Sequence, residues 1–291
     1  MYMTANSRQA RMDKAFHSLF FLCAIVSTVS IGAIGAFIVA EGMPALVDTG
    51  VFSFVTGTQW SPPVYFGILP MISGSVISTI GALVIGVPMG VLTAIFLAEI
   101  APERYATVLR TAIELLAGIP SVIYGFFGLV VIVPLIEQAF SVPAGNTMLA
   151  GIVVLTMMIL PTVITLSETA IRAVPQTYRE GSLALGASKM FTIFNVVLPA
   201  ARSGIMTASI LGIARAIGET MAIIMVMGNA PIIASSLLEP ARTLTANIAL
   251  EMAYASGLHS SALYVTGIVL FIFIMLLNAT MLYLNRQKAG R

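Results

Sequence analysis

Residues 69–98 read LPMISGSVISTIGALVIGVPMGVLTAIFLA, thirty consecutive positions without an Asp, Glu, Lys, Arg or His. A bilayer core is crossed by a helix of roughly 20 apolar residues that satisfies its own backbone hydrogen bonds, so this stretch is long enough to span. The rest of the chain has the same character. Of its 291 residues 58% are hydrophobic and 9% are charged, and the mean hydropathy is +1.01. A soluble domain would be about 25% charged, and a single core could not hide this much apolar surface from water. The composition therefore excludes a water-soluble enzyme and predicts an all-α polytopic membrane protein.

Gaps between the charged residues mark six crossings, near 15–40, 69–98, 115–136, 147–167, 203–228 and 261–284. They divide the chain into a tail at 1–14, a first transmembrane helix at 15–40, an external segment at 41–68, a five-helix core at 69–285 and a tail at 286–291. Basic residues set the orientation. Arg8, Arg11, Lys14, Arg104, Arg110, Arg172, Arg179, Lys189, Arg202, Arg286, Lys288 and Arg291 fall on one side, and Arg242 alone on the other. Short loops rich in Lys and Arg stay in the cytoplasm, so both termini are expected there. The first apolar run is about 26 residues, longer than the 7 to 15 of a cleaved signal, and is expected to be a retained anchor. Pro44, Trp60, Pro62 and Pro63 in the segment 41–68 suit a membrane interface. In a second external segment, 229–260, residues 244–254 are expected to form a short amphipathic or re-entrant helix.

Few residues carry chemistry. Cys23 is the only cysteine, so neither an internal disulfide nor a thiolate cluster can form. His17 and His259 have no ligand-spaced companion and read as interface residues, so no metal site is expected. A phosphate cradle of the GxxxxGK[ST] kind is missing, because Lys14, Lys189 and Lys288 lack a preceding glycine. The chain is not expected to bind a cofactor or to be an enzyme. With a net charge of +2 set by topology, lipid rather than nucleic acid is the expected surrounding.

The connection at 168–202 is long for a membrane protein, and such length usually means function. Within it Glu180 to Pro199 reads EGSLALGASKMFTIFNVVLP. Leu183, Leu185, Phe191, Phe194 and Val197 sit among charged and polar residues, as in two short helices joined near Gly186 that offer apolar groups to a partner. On the residues alone, an amphipathic loop lying on the membrane surface remains the alternative.

This spacing resembles the EAA pattern of permease subunits of bacterial ABC importers, a Glu, a Gly six residues on, and an aliphatic-x-Leu-Pro ending nineteen after the Glu. Glu180, Gly186, Val196, Leu198 and Pro199 occupy those places, with Gly181 and Ser182 where the pattern has alanines. The resemblance implies that residues 175–199 are a coupling helix docking into a groove of an ATPase, with Glu180, Gly186, Leu198 and Pro199 as coupling residues. The Glu180 carboxylate is then expected to cap or orient the turn, and Pro199 to stop the helix before the next span. ELLAGIPSVIYGFFGL (114–129), AIGETMAIIMVMGN (216–229) and RTLTANIALEM (242–252) are similar to the phosphate-specific permeases of the PstC type, while the first 60 residues match only in layout. The resemblance implies a type I ABC importer permease in the bacterial inner membrane. Its implied partners are a second permease of the PstA type, two copies of a PstB-type ATPase using ATP and Mg, and an external PstS-type phosphate-binding protein.

Arg215 and Glu219 are four residues apart, which on a continuous helix places them on one face. Arg215 lies roughly 18 Å beyond Ser203 at 1.5 Å per residue, close to mid-membrane. A central Arg costs about 2.5 to 3.5 kcal/mol on insertion scales and needs a partner or a wet pathway. Gly204, Ala208, Gly212 and Ala216 form a stripe where another helix can approach. The pair is therefore a candidate substrate pathway or gate: Arg215 would hold a tetrahedral oxyanion with its planar fork, and Glu219 would accept the proton that hydrogen phosphate retains and sulfate lacks. A structural salt bridge that closes the pathway, or packing alone, are the alternatives. Gly118, Pro120 and Gly125 thin the third span as a hinge or cavity lining, and Gly86, Pro88 and Gly90 the second, where close packing is the default. Rival functions are an ABC permease for another oxyanion or small solute and an ion-coupled secondary transporter. The long loop and the scarcity of intramembrane carboxylates disfavour the latter, and the lack of a filter-like segment disfavours an ion channel.

Overall fold

A computed structural model describes the backbone of residues 3–289 and the side chains of residues 12–279. Most side chains of the tails at 1–14 and 286–291, those of Arg8, Arg11, Arg286, Lys288 and Arg291 among them, lie outside the described residues. Among the described residues six helices are long and apolar enough to cross a membrane: Met12–Thr49, Leu69–Ile100, Ser121–Phe140, Met148–Arg172, Lys189–Ile217 and Leu258–Ala279. Their number and order match the six charge gaps.

The first helix, α1 (Met3–Thr49), runs past the expected end at residue 40 and contains Pro44. The short α2 (Val51–Thr56) follows, then an antiparallel hairpin of β1 (Trp60–Ser61) and β2 (Tyr65–Phe66) with Trp60 opposite Phe66. The segment 41–68 is thus a folded cap rather than an interfacial loop, and Phe54, Trp60, Phe66 and Ile68 are buried together in it. Next come α3 (Leu69–Ile95), ending in a π turn at Phe96–Ile100, and α4 (Glu103–Ala117). The third span comprises α5 (Ser121–Phe127), a π turn at Gly128–Ile132 and α6 (Val133–Phe140); α7 (Met148–Arg172) is the fourth. Two short helices, α8 (Gln176–Ala184) and α9 (Lys189–Thr192), form an elbow that passes through a π turn at Ile193–Val197 into α10 (Leu198–Ile217). The chain ends with α11 (Met221–Val226), α12 (Leu244–Glu251) and α13 (Leu258–Ala289). One face of the bundle carries α4 and the elbow, and the other carries the hairpin and α12.

The fourth span is the hub: 61% of its apolar window is buried, against 0% for α1. Small residues explain how its neighbours reach it. A Cβ on Gly81, Gly86 or Gly90 of α3 would lie 2.6, 2.8 or 2.7 Å from the side chains of Ile152, Ile159 and Val163 of α7. Gly86 and Gly90 therefore admit a partner helix, as expected for close packing. On the other flank Gly204 of α10 meets Ala170, and Gly212 meets Val163. The peripheral α1 packs against α13, where Gly42 faces Val265 and Ile268 and Phe37 meets Tyr264 edge to face.

Two spans also start well away from where the sequence reading places them. The third span begins at Ser121, not near Leu115, because the apolar run 115–117 belongs to α4 and the chain breaks over Gly118 to Pro120. A proline without an N–H, whose ring also pushes the preceding residue out of helical geometry, prevents one continuous helix there. The fifth span starts at Lys189 rather than Ser203, and Pro199 lies in the first turn of α10 within a continuous helical path instead of stopping it. The wider π turn just before Pro199 relieves the clash its ring would otherwise make with the preceding turn.

Where the third and fifth spans meet, a Cβ on Gly125 would lie 2.7 Å from Ala222 Cα and 2.9 Å from Met225 Sδ. Backbone cannot yield as a flexible side-chain tip can. Gly125→Ala is expected to lower the thermal midpoint in detergent through overpacking worth about 1 to 3 kcal/mol. Gly181→Ala, at a position with open space around it, should leave the midpoint unchanged.

Candidate functional site

Helix α10 ends at Ile217, with Gly218 at φ −77 and Thr220 already out of helical geometry at φ −120, ψ −59. In the break, Glu219 turns back: its Oε1 accepts the Ala222 amide at 3.1 Å and its carbonyl accepts the Thr245 hydroxyl at 2.9 Å. This corrects the expectation that Arg215 and Glu219 share one helix face. A glycine of low helix propensity followed by a carboxylate able to cap the next turn favours ending one helix and starting another. Arg215 stays on the last turn of α10, exposed on this chain, and Glu219 sits half-buried in the break. Among the described residues no ion pair joins them. Gly212, one turn before Arg215, faces Ile159 and Val163 near the midpoint of α7.

A second break lies opposite. Gly118, at φ −82, ends α4, Pro120 starts α5, and the Tyr124 hydroxyl donates to the Leu116 carbonyl at 2.8 Å across the gap. Gly118 and Pro120 thus do interrupt a helix, as their residue types suggest. Tyr124 is buried while Phe126 and Phe127 are exposed. Helices α5 and α11 touch through Gly125 and Ala222, so the two interrupted spans meet at their breaks. Irregular backbone at membrane depth is tolerated where protein covers it or where it lines a cavity.

The floor of this region is sealed from the hairpin face by α12, the short helix expected at 244–254. Its first turn is seated in the bundle: the Thr243 hydroxyl accepts the Ala246 amide, the Leu244 amide donates to Ser75 Oγ at 2.9 Å, and Thr245 reaches Glu219. Glu251, 6% exposed, closes its far end by accepting from Arg242 at 2.5 Å and from the Trp60 indole at 2.9 Å, and by pairing with His259 at 2.8 Å. Arg242 also donates to the Asn229 carbonyl and to Asn247 Oδ1. His259 is therefore part of a polar cluster binding the hairpin, α12 and α13, a role the sequence reading missed. The available signal was the Arg242…Glu251 pair inside an otherwise uncharged stretch. Glu251→Ala is expected to strand a buried Arg242 and cost about 3 to 5 kcal/mol. Thermal unfolding in detergent checks it, and an unchanged midpoint contradicts the assignment.

On the opposite face, Gly186 makes the elbow turn at φ +84, a left-handed value suited to glycine. The Ser182 and Thr192 hydroxyls bond at 2.8 Å across the two arms, and Ser188 Oγ caps α9 by accepting the Phe191 amide. Glu180 is exposed and makes no hydrogen bond among the described residues, so the capping expected of it falls to Ser188. Leu198 is half-buried against the base of the elbow, and Pro199 is exposed. Leu185 at the tip is 91% exposed, and Tyr178, Met190, Phe191 and Phe194 are further exposed large side chains of the elbow and the turn that follows it. A concavity of about 750 Å³ opens between the arms, lined by Thr177, Tyr178, Leu185, Phe191 and Val196.

Ion pairs fasten the base of the elbow. Glu168, buried at the end of α7, accepts from Arg110 of α4 and from Arg172 at 2.8 Å each, and Arg172 reaches the Leu97 carbonyl. The hydrogen bond to Glu168 raises Arg110 above its usual pKa, with partial burial opposing it and the Glu168 and Glu103 charges adding to it. Arg179 of α8 bonds Glu99 in the π turn after α3. None of these pairs was singled out by the sequence reading.

Comparison with known proteins gives consistent results. The family described as binding-protein-dependent transport system inner membrane component matches residues 86–289. The chain is 41% identical to the probable ABC transporter permease protein YqgH of Bacillus subtilis (strain 168), covering 91% of this chain and 88% of that protein. It is 36% identical to the phosphate transport system permease protein PstC of Mesorhizobium japonicum, covering 98% and 93%. Among solved structures it is similar to a bacterial ABC transporter involved in the import of alginate, at TM-score 0.63 and 15% identity over 93% of this chain and 98% of the other. The MetNI methionine ABC transporter matches at TM-score 0.58 and 22% identity over 78% and 99%. At these identities the two structures speak for the fold.

Proposed function

This chain belongs to the binding-protein-dependent transport system inner membrane component family, and on that footing we propose that it is the transmembrane permease subunit of an ATP-driven ABC importer that moves inorganic phosphate into the cytoplasm. It is a transport component, and ATP hydrolysis is the work of a separate chain. The observation that carries the reading is a division of labour between two ends of one fold. At one end an elbow presents an almost fully exposed leucine to water, and at mid-depth a broken helix presents Arg215 on an outer face of the chain. Neither is stable against water or lipid alone. Each makes sense when covered, the elbow by an ATPase and the Arg215 face by a second permease that completes the pathway.

The elbow and both termini then lie in the cytoplasm of a bacterium and the hairpin face outside, where a phosphate-binding protein of the PstS type delivers its cargo. The second permease is of the PstA type and the two ATPases, with ATP and Mg, of the PstB type. Closure of the ATPase pair moves the elbow, with Gly186 keeping its turn and Glu180 free on its surface to meet the ATPase. Arg215 offers the oxyanion a fixed charge and two parallel donors at the level where lipid offers none. Glu219, half-buried in the break beyond, accepts a hydrogen bond from the hydroxyl that hydrogen phosphate retains. The rival of another oxyanion as cargo shares every part of this scheme except the last.

Purification from the native membrane in mild detergent tests the assembly. A second permease and an ATPase are expected in one complex with this chain, and an intact, active preparation lacking both would defeat the proposal.

A further inference from the structure

The Arg179 guanidinium donates to two separate parts of the molecule. Its Nε and Nη2 both donate to Glu99 Oε1, at 3.0 and 2.6 Å, its Nη2 also donates to the Ile171 carbonyl at 2.9 Å, and its Nη1 to the Val174 carbonyl at 2.6 Å. Ile171 lies in the last turn of α7, where its carbonyl also accepts the Val174 amide at 3.2 Å, and Val174 lies just after that helix. Glu99 lies in the π turn that ends the second span. Both side chains are largely buried, at 13% and 10% exposure, beside an apolar cluster of Ala94, Ile95, Ile171, Val174, Ile193 and Val197. A fork–carboxylate pair in such a setting is held in one geometry, and losing either member strands the other.

The second arm of the elbow is attached differently. From Lys189 the backbone runs through its own π turn straight into α10, and among the described residues the side-chain hydrogen bond between the arms is the single Ser182–Thr192 contact. The elbow is thus joined by the chain itself to the fourth span, through residues 173–175, and to the fifth, and it reaches the second span through the Arg179–Glu99 pair.

We propose that Arg179 and Glu99 are positioning residues that make the second span move with α8, so that the stroke of the ATPase reaches it as well as the fourth and fifth spans, to which the elbow is joined by the chain itself. The inference rests on ATPase coupling from the proposed function and not on the identity of the cargo. Without the pin, α8 still docks but its motion does not reach the second span. The pin is a property of the elbow's base, distinct from the tip that meets the ATPase.

The test uses the whole complex with Cys23 replaced by Ser and spin labels at Thr177→Cys on α8 and Met89→Cys on α3, two exposed positions. With the pin intact, trapping with ATP and vanadate should change the separation by no more than about 1 to 2 Å, the scale of a rigid helix shift. Arg179→Lys, which keeps the charge but not the fork, and Glu99→Gln, which keeps size and an acceptor, should both retain the ATPase and hydrolyse ATP. In them the separation should broaden and shift by several Å, and cargo moved per ATP should fall about tenfold, within the usual span of coupling energies. Unchanged separation and unchanged cargo per ATP in both variants overturn the proposal, as does loss of the ATPase from both, which would make the pair part of the docking surface. A wild-type complex that moves no phosphate overturns the phosphate reading alone, because the distance measurement needs only ATP and vanadate.

Discussion

Arg215→Gln is expected to reduce phosphate uptake by at least about 100-fold while the complex still assembles. Each charge-assisted hydrogen bond contributes roughly 1.5 to 3 kcal/mol, and a bidentate fork makes two of them, so removing the charge and one donor direction is worth a factor of about 100 or more. Arg215 forms no ion pair among the described residues, so its loss strands no carboxylate within this chain and assembly should survive. Arg215→Lys keeps the charge without the fork and should fall between the two. Glu219→Gln is the companion measurement, since a glutamine oxygen can still accept the Ala222 amide and keep the break in place. If the carboxylate selects by accepting a hydrogen bond from the hydroxyl of hydrogen phosphate, this variant loses discrimination against sulfate. Phosphate transport and sulfate exclusion both unchanged would refute that role.

The second large effect is at the other end of the molecule. Leu185→Asp should release the ATPase from the two permeases during size-exclusion chromatography. Burying a leucine in a groove contributes about 1.5 to 3 kcal/mol, and an unpaired carboxylate in its place adds a further penalty, so affinity should fall by at least about 100-fold. At 91% exposure Leu185 supports nothing within this chain, and its thermal midpoint should not change. Leu185→Met should leave the complex intact. A complex that survives Leu185→Asp would mean that the ATPase docks elsewhere.

Features with a local cause were legible in the residues. A charge-free run long enough to cross lipid is a helix wherever it occurs, and Gly186 marks a turn because few other residues adopt its backbone angle. Even the break at Gly118 to Pro120 was visible as a weakness. What misled was continuity: Leu115 to Ala117 are as apolar as the span beyond, so hydropathy joined two helices that proline separates. The same assumption put Arg215 and Glu219 on one face, although Glu219 is a carboxylate three residues before an amide it can cap. At Pro199 the error ran the other way, because periodicity does not foresee a π turn that lets a helix accept a proline. The networks were out of reach for a simpler reason. Trp60 and Glu251 are 191 residues apart, Arg179 and Glu99 are 80 apart, and Arg110 and Glu168 are 58 apart, so only the fold brings them together.

The most direct measurement is made on the complete complex in liposomes, with the binding protein outside and ATP inside. Phosphate-loaded binding protein should stimulate ATP hydrolysis and drive uptake of labelled phosphate, with neither process supported by sulfate. Uptake that proceeds without ATP, or ATP hydrolysis indifferent to phosphate in a complex shown to be intact, would contradict the account.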